Sequence, residues 1–236
     1  MAIEPTQLTD RAPLQWQGHS LQLLATRAIW DAERHTLLVA DLHLGKAETF
    51  QRAGIPLPSD GDLETLNALI ELAEQWQPAQ LIVLGDLIHS RVGLTGDLRD
   101  KLAALPELLG CPLRLIGGNH DRGSEIAGLR QEPSQALGPW WLSHEPEPHK
   151  GSLNLCGHLH PVAQVGKGNN RLRLSCFCLD EHQGRLALPA FGRLTGGHPA
   201  AQGEKLWLVA DGAVVAWNQP QSLHQSQQYK RPPAVA

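Results

Sequence analysis

Five segments follow one another along the chain: Asp41-Leu42-His43, Gly85-Asp86, Gly118-Asn119-His120-Asp121, a lone His144, and Gly157-His158-Leu159-His160. Together they offer carboxylate, amide and imidazole donors without a thiolate, a set that suits divalent first-row cations and is large enough for two of them. Four segments directly follow an apolar, strand-like run, at residues 37–40, 81–84, 113–116 and 140–142, and the last follows the shorter run 153–156. Side chains alternate along a strand. Asp41 with His43, and His158 with His160, are therefore each expected to present two ligands on one side as a strand ends. Strand-end loops are also where α/β proteins carry their chemistry.

Taken singly, each segment has an ordinary reading. Asp-x-His can be a loop aspartate beside a surface histidine, Gly-Asp a turn, Gly117-Gly118 a tight turn, and Gly-His-Leu-His an edge strand with one exposed face. Those readings would have to coincide at five strand ends, in order, and still leave a donor set fit for two cations. The metal reading needs only one arrangement.

The elements that must position these residues are legible in the periodicity. Strands are expected at 21–24, 28–30 and 36–40, then a loop over 44–58 containing Lys46, Arg52, Gly54, Pro56 and Pro58. Ser59 or Asp60 caps a helix to about residue 75, with Leu63, Leu66, Leu69, Ile70, Ala73 and Trp76 on its inner face. A second strand–helix unit uses 80–84 and 97–109, and a third pairs 113–116 with a short helix after Asp121. From Trp140 onward the pattern changes to short strands, at 140–142, 153–156, 171–174, 185–188, 205–209 and 213–217. Alternating strands and helices followed by a run of strands imply an α/β fold of two packed sheets with helices on the outer faces. One catalytic domain is expected over residues 15–218, with an N-terminal extension at 1–14 and a disordered, Gln/Ser/Pro-rich tail at 219–236.

Composition sets outer bounds. The chain has 236 residues, 42% hydrophobic and 19% charged, which is ordinary for a globular protein. Its formal charge of -4 argues against holding nucleic acid by bulk electrostatics. Two divalent cations would, however, add about +4 where a phosphate must sit. The cysteines form no CxxC pair, and Cys176-x-Cys178 reads as buried thiols on one strand face. The opening residues carry no apolar core of signal-peptide length and no stretch is long enough to span a bilayer. A cytoplasmic location with no membrane partner is the expectation.

The order D-x-H, G-D, G-N-H-D, H, G-H-x-H over residues 41–160 resembles that of the calcineurin-like binuclear metallophosphoesterases. Three stretches carry a closer likeness: Asp41-Leu42-His43-Leu44-Gly45-Lys46-Ala47 running into Ile55-Pro56-Leu57-Pro58, Leu84-Gly85-Asp86-Leu87-Ile88-His89-Ser90-Arg91, and Leu188-Pro189-Ala190-Phe191-Gly192. They are similar to the ligase-associated DNA-damage-response endonucleases of bacteria. The resemblance implies a four-layer α/β/β/α metallophosphoesterase sandwich with two mixed β-sheets. It also implies a manganese-dependent single-strand DNA endonuclease in DNA repair, encoded beside a DEXH-box helicase, an ATP-dependent DNA ligase and an exonuclease.

Carried over position by position, the resemblance assigns one divalent ion, most simply Mn²⁺, to Asp41, His43 and His160 with Asp86 bridging, and a second to Asp86, Asn119, His144 and His158. His149 competes with His144 but has no strand before it. His120 would protonate the departing oxygen, with Asp121 orienting its ring, and His89 would touch the scissile phosphodiester. Lys46, Arg52, Arg91 and Arg122 lie near ligand segments, where they could steer a polynucleotide backbone. Protein Ser/Thr phosphatases carry G-D-x-x-D-R-G and G-N-H-E, whereas this chain has His89-Ser90-Arg91 and Asp121-Arg122. Two rival functions remain. One is a small-molecule diesterase or pyrophosphatase of cyclic-nucleotide type; the other is a non-catalytic scaffold, against which every ligand position is filled.

Overall fold

A computed structural model describes residues 9–126, 128–166 and 170–217. The first sheet has seven strands in chain order, β1 (Arg11–Trp16), β2 (His19–Leu24), β3 (Ile29–Asp31), β4 (Thr36–Val39), β5 (Gln80–Leu84), β6 (Leu113–Ile116) and β7 (Gln131–Glu132). β1 to β4 form an antiparallel meander, and β4 to β7 run parallel. Parallel neighbours need crossovers. These are α1 (Lys46–Arg52) with α2 (Gly61–Trp76) between β4 and β5, and α3 (Gly96–Leu109) between β5 and β6.

The second sheet is also mixed. It holds β8 (Gln135–Leu137), β9 (Trp140–Ser143), β10 (Leu153–Cys156), β11 (Pro161–Val165), β12 (Leu172–Asp180), β13 (Arg185–Ala187), β14 (His198–Pro199), β15 (Lys205–Ala210) and β16 (Ala213–Trp217). Its main path runs β14-β11-β12-β13-β10-β9-β8, with β15 on β12 and β16 on β15. β9, β10 and β13 are parallel to one another.

Both faces of the central strands are buried, as parallel strands require. On one face Leu37, Val39, Leu81, Val83 and Leu115 meet Leu66, Leu69 and Leu72 of α2 and Leu98, Leu102 and Leu105 of α3. On the other, Leu38, Ile82, Leu84 and Ile116 meet Trp140, Leu142, Leu155, Phe177 and Leu186 of the second sheet. Each such side chain contributes about 1.5–3 kcal/mol of burial, upper estimates because the unfolded chain is itself partly collapsed. A polar tie crosses the same interface: Trp140 Nε1 donates to Asp31 Oδ2 at 2.7 Å, and Asp31 also receives Arg34.

The two mixed sheets stand as expected, with differences in detail. Among the described residues α2 and α3 lie against the first sheet, and α1 packs on α2. A second helical layer, outside the second sheet, has no counterpart there; that face carries the cluster of Cys156, Cys176, Cys178, Leu206 and Leu208. The domain's first strand begins at Arg11, so the boundary expected at residue 15 falls inside β1. The loop expected over 44–58 contains α1, and the helix expected after Asp121 is replaced by turns. Leu63 turns outward at 49% exposed. The tail expected over 219–236 lies outside the described residues. No helix among the described residues is long and apolar enough to cross a membrane.

Candidate metal centre

All five segments emerge at the C-terminal ends of parallel strands: β4, β5 and β6 of the first sheet, β9 and β10 of the second. This is the edge where α/β sheets gather ligands. Strand alternation does not arrange them. Asp41, His43, Asp86, His158 and His160 all have left-handed backbone, with φ of 56°, 50°, 51°, 65° and 42°. Asp and His tolerate that region better than most residues, at a strain of about 1–3 kcal/mol each. Asp41 and His43 share one group, whereas His158 and His160 divide between the two, the division the resemblance assigns.

One group brings together Asp41, His43 and His160. His160 Nε2 lies 3.2 Å from Asp41 Oδ1 and 3.3 Å from His43 Nε2. The other joins Asp86, His144 and His158, with the Asn119 amide. Asn119 Oδ1 stands 2.8 Å from His144 Nε2 and 3.1 Å from His158 Nδ1, and those two nitrogens are 3.2 Å apart. Donors held about 2.0–2.2 Å from a cation sit roughly 3 Å from one another, so both groups fit a divalent ion. One atom faces both: Asp86 Oδ2 is 3.4 Å from His144 Nε2 and 3.9 Å from His43 Nε2.

Backbone groups aim these donors. Leu84 O can only accept, so His144 Nδ1–H donates to it at 3.0 Å and Nε2 turns toward Asp86 and Asn119. His158 N–H donates to both Asp41 oxygens, at 3.1 and 3.0 Å. The 188–192 segment docks behind the first group, with Phe191 N–H on Ala40 O at 2.8 Å and Gly192 N–H on Asp41 O at 3.1 Å. Burial pushes His43 down, to about 3, against the pull of Asp86, and so favours the neutral ring that a ligand must offer. At His144 burial also pushes down, but the hydrogen bond and charge of Asp86 outweigh it and the net shift is upward. With burial working against it, Asp86 is held low by the same His144 partner.

Two glycines are required here by close approach. A Cβ at Gly85 would fall 2.2 Å from His144 Nδ1, and one at Gly118 would fall 2.2 Å from Asp86 N and 2.3 Å from Asp86 Oδ1. The second clash is with backbone, which cannot swing aside. Gly118→Ala should therefore displace the Asp86 loop and lower metal affinity about 10–100-fold, read as metal content after dialysis. Normal metal content would show that the loop accommodates the methyl.

His89 and His120 stand beside the two groups rather than within the tightest contacts. Their rings stack at 5.1 Å between centroids, and Phe50 of α1 stacks on the far side of His89 at 5.8 Å. His120 Nδ1–H donates to His89 O at 2.5 Å, leaving Nε2 turned to Asp86 Oδ2 at 3.9 Å. Burial, then the charge of Lys46, pushes His89 down to about 4, so it is neutral at pH 7. Geometry alone also groups His43, His89 and His120 within ligand distance.

The role expected of Asp121 needs correction. Its carboxylate does not hold the His120 ring; it accepts Ile88 N–H at 3.1 Å and Gly118 N–H at 3.0 Å, tying the Asp86 loop to the Asn119 loop. It is fully buried, and that burial raises its pKa against the pull of these donors. The orienting group for His120 is a backbone carbonyl, for which the sequence carries no signal. His149 stacks on Trp141 at 4.0 Å, whereas His144 is the buried member of the second group.

The four basic residues are spread unevenly. Lys46 is half-buried and its ammonium lowered by burial, near enough to His43 and His89 to depress both. Arg52 ends α1 in solvent. Arg122 is exposed and paired with Glu145 at 3.5 Å. Arg91 is exposed in the loop that carries His89.

Comparison with known proteins agrees with this geometry. The sequence model of the calcineurin-like phosphoesterases matches residues 34–221. Among solved structures, the nuclease MPE of Pseudomonas putida superposes with a TM-score of 0.73 at 34% identity, over 88% of this chain and 100% of that one. A search of curated proteins returns no significant match. With its fold, the ligand-bearing strand ends and the family match in agreement, the chain belongs to the calcineurin-like metallophosphoesterases.

Proposed function

We propose that this chain is a manganese-dependent phosphodiesterase that cuts single-stranded DNA internally. The observation that carries the reading is the pair His89 and His120, neither needed to complete the two ligand groups, held beside Asp86 with His120 Nε2 facing inward. Two more imidazoles at that place serve a substrate whose leaving oxygen is a poor one. The similarity to a nuclease supports the same class.

The residues that would hold the cations are Asp41, His43 and His160 on one side and Asn119, His144 and His158 on the other, with Asp86 between. When bound, two divalent ions supply Lewis acidity to a phosphate oxygen and make water a nucleophile near neutral pH. The chain does the rest. His120, its Nδ1–H anchored on His89 O, offers a proton from Nε2 to the departing sugar oxygen. His89, neutral, is placed to hydrogen-bond the scissile phosphate, and Lys46 adds positive charge beside it.

The nitrogen-rich donor set favours Mn²⁺ over Mg²⁺, which prefers oxygen ligands and keeps its waters. Activity should accordingly appear with Mn²⁺ and be weak in Mg²⁺ alone; full activity in Mg²⁺ with no gain from Mn²⁺ would count against this ligand set. The test of substrate is to offer metal-loaded protein circular single-stranded DNA, duplex DNA and a cyclic dinucleotide side by side. A circle has no ends, so its linearisation identifies internal cleavage. Turnover of the dinucleotide alone would replace this reading. A place in bacterial DNA repair, and association with a helicase, ligase and exonuclease, follow from the resemblance and belong to the proposal.

A further inference from the structure

The loops that carry His89 and His120 run on into a groove of about 520 Å³, walled by the loop after β5, the first turn of α3 and the loop after β6. Arg91, Val92 and Arg99 face it from one side, Ser124 and Glu125 from the other. Arg91 has no carboxylate partner among the described residues. Arg99 donates to Glu125 O at 3.0 Å, a single bond to a neutral carbonyl that leaves most of its guanidinium free. The Ser124 hydroxyl oxygen is buried without a hydrogen-bond partner, although its backbone is pinned on both sides. Ser124 N–H donates to Asp121 O at 3.0 Å, and Ser124 O accepts Gln131 Nε2 at 3.0 Å. That hydroxyl is closed off from the groove, which instead presents two under-committed guanidiniums that lack an acceptor-rich, anionic partner.

We propose that this groove binds a backbone phosphate of the nucleic-acid strand, one flanking the scissile position. The proposal rests on the nuclease reading of the metal centre and adds Arg99 to the surface a strand would touch. The adjacency carries it. The wall bearing Ser124 belongs to the loop of Asn119, His120 and Asp121, and the wall bearing Arg91 belongs to the loop of Asp86 and His89. A strand whose phosphate reaches the metal centre therefore has its neighbouring phosphate within reach of the groove. The planar guanidinium fork matches a phosphate, and Glu125 opposes it. The groove is positive only by the margin of two arginines over one glutamate.

The test is equilibrium binding of a fluorescent phosphorothioate single-stranded oligodeoxynucleotide to metal-loaded protein over a salt series. Each phosphate contact on a single strand contributes about 0.7 to the slope of log K against log salt. The groove holds one phosphate, so the Arg91→Ala/Arg99→Ala double variant should flatten the slope by about that amount, and each single variant by less. Arg99→Lys keeps the charge and should restore the slope. Glu125→Gln should tighten binding, which loss of packing would not do. An unchanged slope in the double variant overturns the proposal. So does a loss in Arg99→Ala that lysine fails to rescue and that comes with a lowered melting temperature, because the arginine would then be structural. Absence of any binding by the wild type overturns it as well. Wild-type protein that binds with the expected slope yet leaves circular single strands intact would refute the endonuclease reading and leave the groove standing. Cleavage with a slope indifferent to both arginines would do the reverse.

Discussion

Asp86→Ala is expected to remove turnover of every phosphodiester, DNA and bis-p-nitrophenyl phosphate alike, by about 10³-fold or more. The reason lies in one oxygen. Asp86 Oδ2 faces His144 Nε2 at 3.4 Å and His43 Nε2 at 3.9 Å, so its loss takes a negative charge from both ligand groups. The second oxygen has a separate duty, accepting His120 N–H at 2.9 Å. Asp86→Asn separates the two. It keeps a carbonyl for His120 N–H and the shape of the site but removes the charge, and it should be almost as damaged as the alanine variant. The measurement is metal content together with activity on both substrates. Near-normal Mn²⁺-dependent activity in either variant would mean that the two groups do not share Asp86.

Why these donors were readable from sequence, and their supports were not, follows from where the information sits. Each ligand lies one to three residues beyond an apolar run of strand length, and those runs became β4, β5, β6, β9 and β10 within a residue or so of their expected ends. Both faces of the first three strands are buried, which forces the continuous apolar pattern that makes them visible. β1 fails that test. Only Leu14 is fully buried in it, and Arg11, Pro13 and Gln15 face outward. α1 is hidden for another reason: seven residues make too short a period to detect, and it is preceded by Gly45, whose N–H Asp62 accepts at 2.6 Å and whose backbone is left-handed. No local rule links residues 45 and 62.

The site divides along the same line. Types and order of the donors are local facts, so they could be read. Spacing alone does not say which group His158 or His160 joins; that division came with the resemblance, and both residues leave strand geometry for left-handed backbone. Asp121 is the sharper case. Its position next to His120 invites a role on that ring, but its carboxylate closes two loops by accepting backbone N–H groups from Ile88 and Gly118. The carbonyls that aim His144 and His120, from Leu84 and His89, belong to residues whose identity is irrelevant to the bond. A backbone acceptor leaves no trace in the sequence.

His120→Ala is expected to separate the metal machinery from proton delivery. A DNA sugar alkoxide is a poor leaving group and needs a proton as it departs, whereas p-nitrophenolate leaves readily without one. General-acid help is worth about 10²–10⁴ in rate where the leaving group is poor, so the variant should lose that much on DNA while keeping much of its activity on bis-p-nitrophenyl phosphate. The geometry favours this split. His120 holds its Nδ1 on His89 O and leaves Nε2 3.9 Å from Asp86 Oδ2, facing the ligand groups that Asn119, Asp41 and the other histidines complete without it. Its backbone N–H bond to Asp86 survives the substitution, so the carboxylate should stay in place. His89→Ala belongs to the same class for a different reason. In the proposed reading its ring, stacked on both Phe50 and His120, would position a phosphate, and an activated small diester depends less on positioning. Ligand variants such as His144→Ala should instead lose both activities together. The decisive quantity is the ratio of the two activities in each variant, with metal content measured on the same sample. Equal losses on both substrates in His120→Ala, with both metals retained, would remove the general-acid role and place His120 among the groups that serve every diester alike.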